Sequence, residues 1–385
     1  MKTNTTKKLK IYDMFAGMGC FRIAFEKLGC KTVGYCEIDK YAKQFYENAY
    51  NTRNEVYNAD ARKIKTEELP AFDILCAGFP CQSFSIAGKR RGFEDTRGTM
   101  FFEIARILQD KRPRYFVLEN VKGLLSHDGG QTFKTILKVL ADIGYSVQWQ
   151  VLNSKYFGVP QNRERVYIVG CYGKECIGKI FPIRQISRKN SRKNRLKQLA
   201  ETIGNPQGSR IYELDGISPC LCANAGGGKT GLYCINKPRY NKYKESDIVE
   251  TLTVGGDTPL MKIKNGTKKG YDLATVGDGI SLAYPNSNTR RGRVGKGCSQ
   301  TLDTNCQMGT LDGWKIRRLT PLECFRLQGV PDEVFEKGSK GLSDAQLYKI
   351  AGNAVTVNVA YTVAKWLIEA DKEYQTNEKN KQTNI

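Results

Sequence analysis

This sequence has a single histidine, His127, and none of its 13 cysteines forms a Cys-x-x-Cys pair; the nearest spacings are Cys220-x-Cys222 and Cys171-x4-Cys176. Zinc needs four converging thiolate or imidazole donors at short spacing, so no structural metal is expected. No stretch approaches the roughly 18 consecutive apolar residues of a membrane span, and residues 1–10 hold no hydrophobic segment of signal type. An odd cysteine count without export fits a reducing compartment, so the expectation is a cytoplasmic protein whose thiols are mostly small core groups. Acids are scarce as well: 39 against 61 Lys and Arg, a net charge of +22. That excess calls for a polyanionic partner or a strong solubility need. Seven basic residues and no acid stand between Arg184 and Lys197. Alone they read as a solvated linker; beside the basic loop described next they read as a nucleic-acid contact.

The first 170 residues alternate strand and helix patterns, which predicts an α/β domain on a parallel sheet. Strands are expected at Ile11–Phe15, Lys31–Glu37, Phe72–Ala77, Tyr115–Glu119, Tyr145–Leu152 and Val166–Gly170. After about Phe181 the texture changes: 18 of the 38 glycines fall between Gly204 and Gly313. This predicts a second domain that is irregular and rich in β-structure and loops. The expected boundaries are 8–182 for the first domain, 183–339 for the second, a return to the first over 340–372, and a disordered polar tail over 373–385. Gly216–Asn224 and Gly297–Asn305 also resemble one another, a repeat as readily explained by chance.

Phe79-Pro80-Cys81-Gln82 closes an apolar run and opens a loop carrying Lys89, Arg90, Arg91 and Arg97. A cysteine at the carboxyl end of a buried strand, before a basic loop, is placed to act as a nucleophile near a phosphate backbone. Tyr115–Val121 ends in a second chemical group, Glu119. Asp13-Met-Phe-Ala-Gly17-Met-Gly19 follows the first strand, where glycines let backbone amides approach a ligand at a helix N-terminus. Glu37 ends the second strand, where an acid accepts ribose hydroxyls, and Asp60 ends the next run, where it can hold an adenine amino group. Cys20 stands where a third glycine would be and no Gly-rich phosphate cradle follows, so an adenosine-bearing ligand without pyrophosphate fits best. S-adenosylmethionine is the leading candidate.

In this order, Asp13–Gly19, Glu37, Asp60, Gly78–Ser83, Glu119–Val121, Gln161-Asn-Arg-Glu-Arg165, Arg318–Glu323, Arg326-Leu-Gln-Gly329 and Gly352-Asn353 make the chain resemble a bacterial-type cytosine-C5 DNA methyltransferase of a restriction-modification system. The resemblance implies a Rossmann-like S-adenosylmethionine-dependent domain with a separate target-recognition domain. It implies that Cys81 adds to C6 of a flipped-out cytosine in double-stranded DNA, because C5 is a poor nucleophile until a thiolate makes it enamine-like. Glu119 would contact N3 and the exocyclic amine, with Arg163 and Arg165 balancing charge nearby. By the same alignment Phe15, Gly17, Met18, Gly19, Glu37, Ile38, Asp60, Pro80, Met100, Asn353 and Val355 would form the cofactor pocket. Ser83, Lys89 and Arg97 would contact DNA phosphates from a loop that closes over the duplex. A monomer is expected, with a cognate restriction endonuclease as a functional rather than physical partner. His127 is assigned no role.

Two other readings bear weighing. The same chemistry on RNA is disfavoured by the long variable stretch, since tRNA-directed relatives resemble a much reduced version. A catalytically silent DNA-binding protein is disfavoured by the intact Cys81, Glu119, Arg163 and Arg165. Taken singly, Arg163 and Arg165 read as ordinary salt bridging and Glu119 as a strand-end turn. An amino-group methyltransferase would carry an Asn/Asp-Pro-Pro-aromatic signature, which is absent.

Overall fold

The computed structural model describes residues 8–80, 100–173, 180–185, 198–201, 210–212, 260–285, 287, 289–312 and 315–383. They divide into two compact units: residues 1–184, 298–308 and 318–385 in the first, 185–297 and 309–317 in the second.

The first unit is built on seven strands: β1 (Lys10–Met14), β2 (Lys31–Cys36), β3 (Val56–Asn58), β4 (Ile74–Gly78), β5 (Tyr115–Val121), β6 (Tyr145–Asn153) and β7 (Glu164–Tyr172). Their order is β3-β2-β1-β4-β5-β7-β6. Strand side chains alternate faces, and here both faces are apolar. Ile11, Ile74, Tyr115 and Val117 enter one core, with α1 (Cys20–Glu26), α5 (Pro321–Leu327), α7 (Asp344–Asn353) and the start of α8 (Val357–Thr383). Tyr12, Leu75, Phe116 and Leu118 enter the other, with α3 (Met100–Lys111) and α4 (Gln131–Asp142). Two short helices, α2 (Lys40–Ala49) and α6 (Asp332–Gly338), pack together where Phe45 meets Gly338.

Three expectations change. The sheet is mixed: β1 to β5 run parallel, but β7 is antiparallel to both β5 and β6. Residues 154–163 are too few for the crossover that parallel neighbours need, so β6 and β7 form a long hairpin. Segments 298–308 and 318–339, expected in the second domain, pack with the first unit. The expected disordered tail is helical as far as Thr383, as the end of α8. Arg114 and the Tyr115 hydroxyl both bind the Asp371 carboxylate and hold this helix to the sheet.

The second unit contains β8 (Gln198–Glu201) paired with β9 (Arg210–Tyr212), and a hairpin of β10 (Leu260–Lys264) and β11 (Tyr271–Thr275). A four-stranded sheet runs β13-β12-β14-β15, from Val294–Gly295, Gly279–Ser281, Met308–Asp312 and Lys315–Arg318. Met261, Ile263, Ala274, Ile280 and Leu311 form its small core. This is the β- and loop-rich second domain that the glycine distribution predicts. Among the described residues no helix is long and apolar enough to cross a membrane.

Candidate active site

Parallel strands end on one edge of a sheet, and at this edge the candidate residues collect. The order reverses between β1 and β4, the point where open α/β sheets bind ligands. After β1 the chain turns sharply: Phe15 has φ 55° and Gly17 φ 56°. A phenylalanine in the left-handed region is strained and persists only where its surroundings fix it. Gly19 (φ 80°) begins α1, and a Cβ there would stand 2.7 Å from the Tyr50 ring. The Tyr50 hydroxyl donates to Met18 O at 2.8 Å, and Arg22 lies over the Tyr50 ring, its guanidinium 4.4 Å from the centroid.

Glu37 follows β2 and is buried. Its two oxygens accept from the Gly17 and Asp39 amides, both at 2.8 Å. Burial raises its carboxyl, and those amides oppose the rise. Between these anchored residues Ile38 is 67 % exposed, an aliphatic face for a planar ring. Asp60 caps the turn after β3 and pairs with Arg62 at 2.8 Å, a hydrogen bond that holds its carboxyl below the usual range. Asp13, inside β1, is wholly buried. Among the described residues no well-formed hydrogen bond reaches either carboxyl oxygen, and burial holds the acid well above its ordinary range despite the Arg22 guanidinium and amide.

Glu119 lies on β5 opposite Tyr167 of β7. Because β7 is antiparallel, it begins where β5 ends, and this brings Arg163 and Arg165 to the same edge. Arg165 Nε lies 3.0 Å from Glu119 Oε1. Among the described residues this ion pair is the contact that oxygen makes. Burial raises the Glu119 carboxyl, and the Arg165 and Arg163 guanidiniums pull it back. Arg163 is 2 % exposed, and burial lowers it to about 10. Its guanidinium donates to Leu302 O, Gly352 O and Ala354 O at 3.2, 3.3 and 2.7 Å.

Phe79 is buried and Pro80 exposed at the exit of β4. Asn120 Nδ2 donates to Phe79 O at 3.0 Å, so the neighbour of Glu119 fastens the strand that leads toward Cys81. A Cβ on Gly78 would come within 3.1 Å of Val355 Cγ2 and 3.7 Å of Glu119 Oε2. Val355 is buried, Asn353 exposed, and half-buried Met100 opens α3. Cys81, Ser83, Lys89 and Arg97 lie outside the described residues.

Some supporting residues were not given roles from sequence. Gln161 and Gln328 are fully buried and form a polar chain: Gln161 Nε2 donates to Leu327 O at 2.8 Å, and Gln328 Nε2 to Ala351 O at 2.7 Å. Thr356 Oγ1 donates to Gln328 Oε1 at 3.0 Å and meets Ser154 Oγ at 2.8 Å. Both glutamines stand inside motifs visible in the sequence. Leu302 and Asp303 stand in the sequence only within the apparent repeat Gly297–Asn305, which assigns them no role. His127 meets Thr132 Oγ1 through Nδ1 at 2.7 Å, a local contact at the start of α4.

The sequence profile of the family described as C-5 cytosine-specific DNA methylase matches residues 9–369. The chain is 53 % identical to type II methyltransferase M.NgoBI of Neisseria gonorrhoeae over 92 % of each chain. It is 34 % identical to type II methyltransferase M.HpaII of Haemophilus parainfluenzae, covering 95 % of this chain and 91 % of that one. It is also 32 % identical to the orphan methyltransferase M.SPRI of Bacillus phage SPR, over 94 % of this chain and 98 % of the relative. Among solved structures, S. pombe Dnmt2 methyltransferase shares the fold at a TM-score of 0.53 and 16 % identity, over 94 % of this chain and 99 % of that one.

Proposed function

This chain belongs to the C-5 cytosine-specific DNA methylase family and is a DNA cytosine-5-methyltransferase; from that premise we propose that it methylates C5 of a cytosine flipped out of a specific double-stranded DNA sequence, through a transient bond between Cys81 and C6. The observation that carries the mechanism is Glu119, a buried carboxyl beside Arg165 and Arg163, one residue from the Asn120 side chain that holds Phe79 O. A base above Glu119 meets a carboxyl whose burial favours the protonated form, as a donor to N3 must be. The thiolate of Cys81 adds at C6 while Glu119 hydrogen-bonds or protonates N3, which drives electron density onto C5. Once C5 has taken up the methyl group, loss of its proton and departure of the Cys81 thiolate would restore the aromatic ring as 5-methylcytosine. Arg165 and Arg163 supply positive charge that favours the thiolate and keeps Glu119 in place.

The first sheet edge fits S-adenosylmethionine. Glu37, fixed by two backbone amides, presents a carboxylate suited to ribose hydroxyls, and exposed Ile38 offers a surface for adenine. Phe15, Gly17, Met18, Gly19, Asp60, Pro80, Met100, Asn353 and Val355 would complete the pocket. When bound, this molecule supplies an electrophilic methyl group on sulfur. We assign catalysis to the first unit and target recognition to the second, with Ser83, Lys89 and Arg97 on the DNA phosphates. The names of the type II relatives support a role in protecting DNA from a cognate endonuclease; the name of the phage relative supports a solitary enzyme. DNA from a methylation-free host expressing the gene, challenged with endonucleases and sequenced after bisulfite treatment, separates these roles and identifies the target.

The decisive test is covalent trapping. Duplex DNA with 5-fluorocytosine at the target should become irreversibly linked to the protein in the presence of methyl donor, because fluorine cannot leave as a proton does. Cys81→Ala should abolish both the adduct and methylation while DNA binding stays measurable. Full methylation by that variant would remove Cys81 from the mechanism.

A further inference from the structure

In the second unit one exposed corner is held with unusual firmness. Tyr284 is 74 % exposed and has φ 52°, the left-handed region in a residue with a bulky side chain. What fixes it is Arg293, 4 % exposed, whose guanidinium bonds to carbonyls among the described residues. Arg293 Nη1 donates to Lys264 O at 2.9 Å and Pro285 O at 3.0 Å, and Nη2 donates to Ser281 O at 2.9 Å. One buried side chain thus clamps the Tyr284–Pro285 corner to the ends of β10 and β12. The other limb is tied too: Gly266 N donates to Arg290 O at 2.6 Å, and Ser287 Oγ accepts from the Arg290 amide at 3.2 Å. Desolvating a guanidinium is costly, so a clamp of this kind implies that the corner's shape matters.

The clamped corner presents chemistry suited to a nucleobase. The Arg290 guanidinium lies over the Tyr284 ring, 5.5 Å from its centroid. Among the described residues neither Arg290 nor Arg291 has an acidic partner. Between Leu260 and Gly297 there are eight Lys and Arg against Asp272 and Asp278 alone. Both acids are on or beside the strands, and Asp278 is taken by Lys296 at 2.7 Å. A stacked guanidinium loses little freedom on binding and keeps its planar fork, the geometry that matches O6 and N7 of guanine. Arg291 donates through Nε to Gly266 O at 3.3 Å, which leaves its terminal nitrogens for a phosphate.

We propose that the Tyr284–Arg290 pair is a sequence-reading element, with Arg290 addressing a guanine in the major groove and the Arg293 clamp holding it in position. This deepens the assignment of target recognition to the second unit and rests on it. The test is methylation of a duplex library with randomised sequence around cytosine, read by bisulfite sequencing, using full-length protein. Arg290→Ala and Arg290→Lys should each lose discrimination at one G·C position by roughly 5- to 100-fold, with the other positions unchanged. Tyr284→Ala should act at the same position to a smaller degree, and Tyr284→Phe should match the unsubstituted protein. An Arg290 that merely held a phosphate would weaken binding evenly across sequences and lower the salt slope by about one; that result overturns the proposal. Unchanged site preference in Arg290→Lys overturns it as well, whatever Arg290→Ala does. If the unsubstituted protein methylates no cytosine, the functional reading itself fails; if it does and the variants match it, only the role of this loop falls.

Discussion

At the scale of single residues, the informative conflict is at Glu119. Burial favours its neutral form, and two guanidiniums favour its charged form, with burial the larger effect. The sign follows: the carboxyl is raised, so its protonated form survives to higher pH than in a free glutamate and is lost as pH rises through the raised value. The proposed nucleophile, Cys81, would have the opposite requirement, because only a thiolate attacks. Methylation should therefore climb with pH as the thiol ionises and fall on the alkaline side as Glu119 loses its proton. Glu119→Gln keeps a hydrogen-bond donor but cannot titrate. Its kcat should drop roughly 10²- to 10⁴-fold, the usual span for a general acid, and the alkaline fall should disappear from what remains. If that fall persists in the variant, it belongs to another group. As candidates, Glu119, Arg163 and Arg165 were legible in the sequence, since each stands in a short recognisable motif. Their mutual charge balance was not, because it depends on which strand ends lie side by side.

At the scale of elements, the segment 298–308 matters more than its sequence suggests. It has no periodic pattern, yet Leu302 O accepts from Arg163, and Asp303 backbone packs directly on Gly352. A Cβ on Gly352 would stand 2.1 Å from Asp303 O, with no flexible side chain to yield. Gly352→Ala must displace either the segment or the end of α7, and both hold acceptors for Arg163. We expect a loss of about 1–3 kcal/mol, the usual cost of overpacking, measured as a lower denaturant midpoint. Methyl transfer should fall as well in the fraction that folds; unaltered kcat would mean that Arg163 does not depend on this contact. The strands β1, β2, β4 and β5 were legible because each is dominated by apolar, β-branched or aromatic residues. The direction of β7 was not, because alternation looks the same either way, and only the short link after Asn153 betrays the hairpin. The helical end of α8 was hidden by its polar composition. It is Asp371, bound by Arg114 and Tyr115, that ties this helix to the sheet.

At the scale of the whole molecule, the chain leaves the first unit at residue 185, returns for 298–308, departs for 309–317 and comes back at 318. The sequence showed a single variable stretch between Arg165 and Arg318 and no sign of the brief return. One half of the apparent repeat, Gly297–Asn305, falls almost wholly on that return, so it packs with the first unit; its counterpart Gly216–Asn224 lies outside the described residues. This division makes a prediction about exchange with a relative of different specificity. Replacing residues 185–297 and 309–317 while keeping 298–308 should transfer the relative's target sequence and leave kcat near its original value. Replacing 185–317 entire should transfer the same target but lower kcat, because the acceptor that Leu302 offers to buried Arg163 is rebuilt from foreign residues. The two chimeras share the whole exchanged second unit, so a difference in kcat between them isolates the returning segment. Equal kcat would show that 298–308 is interchangeable, and an unmoved target sequence in both would place recognition outside the second unit.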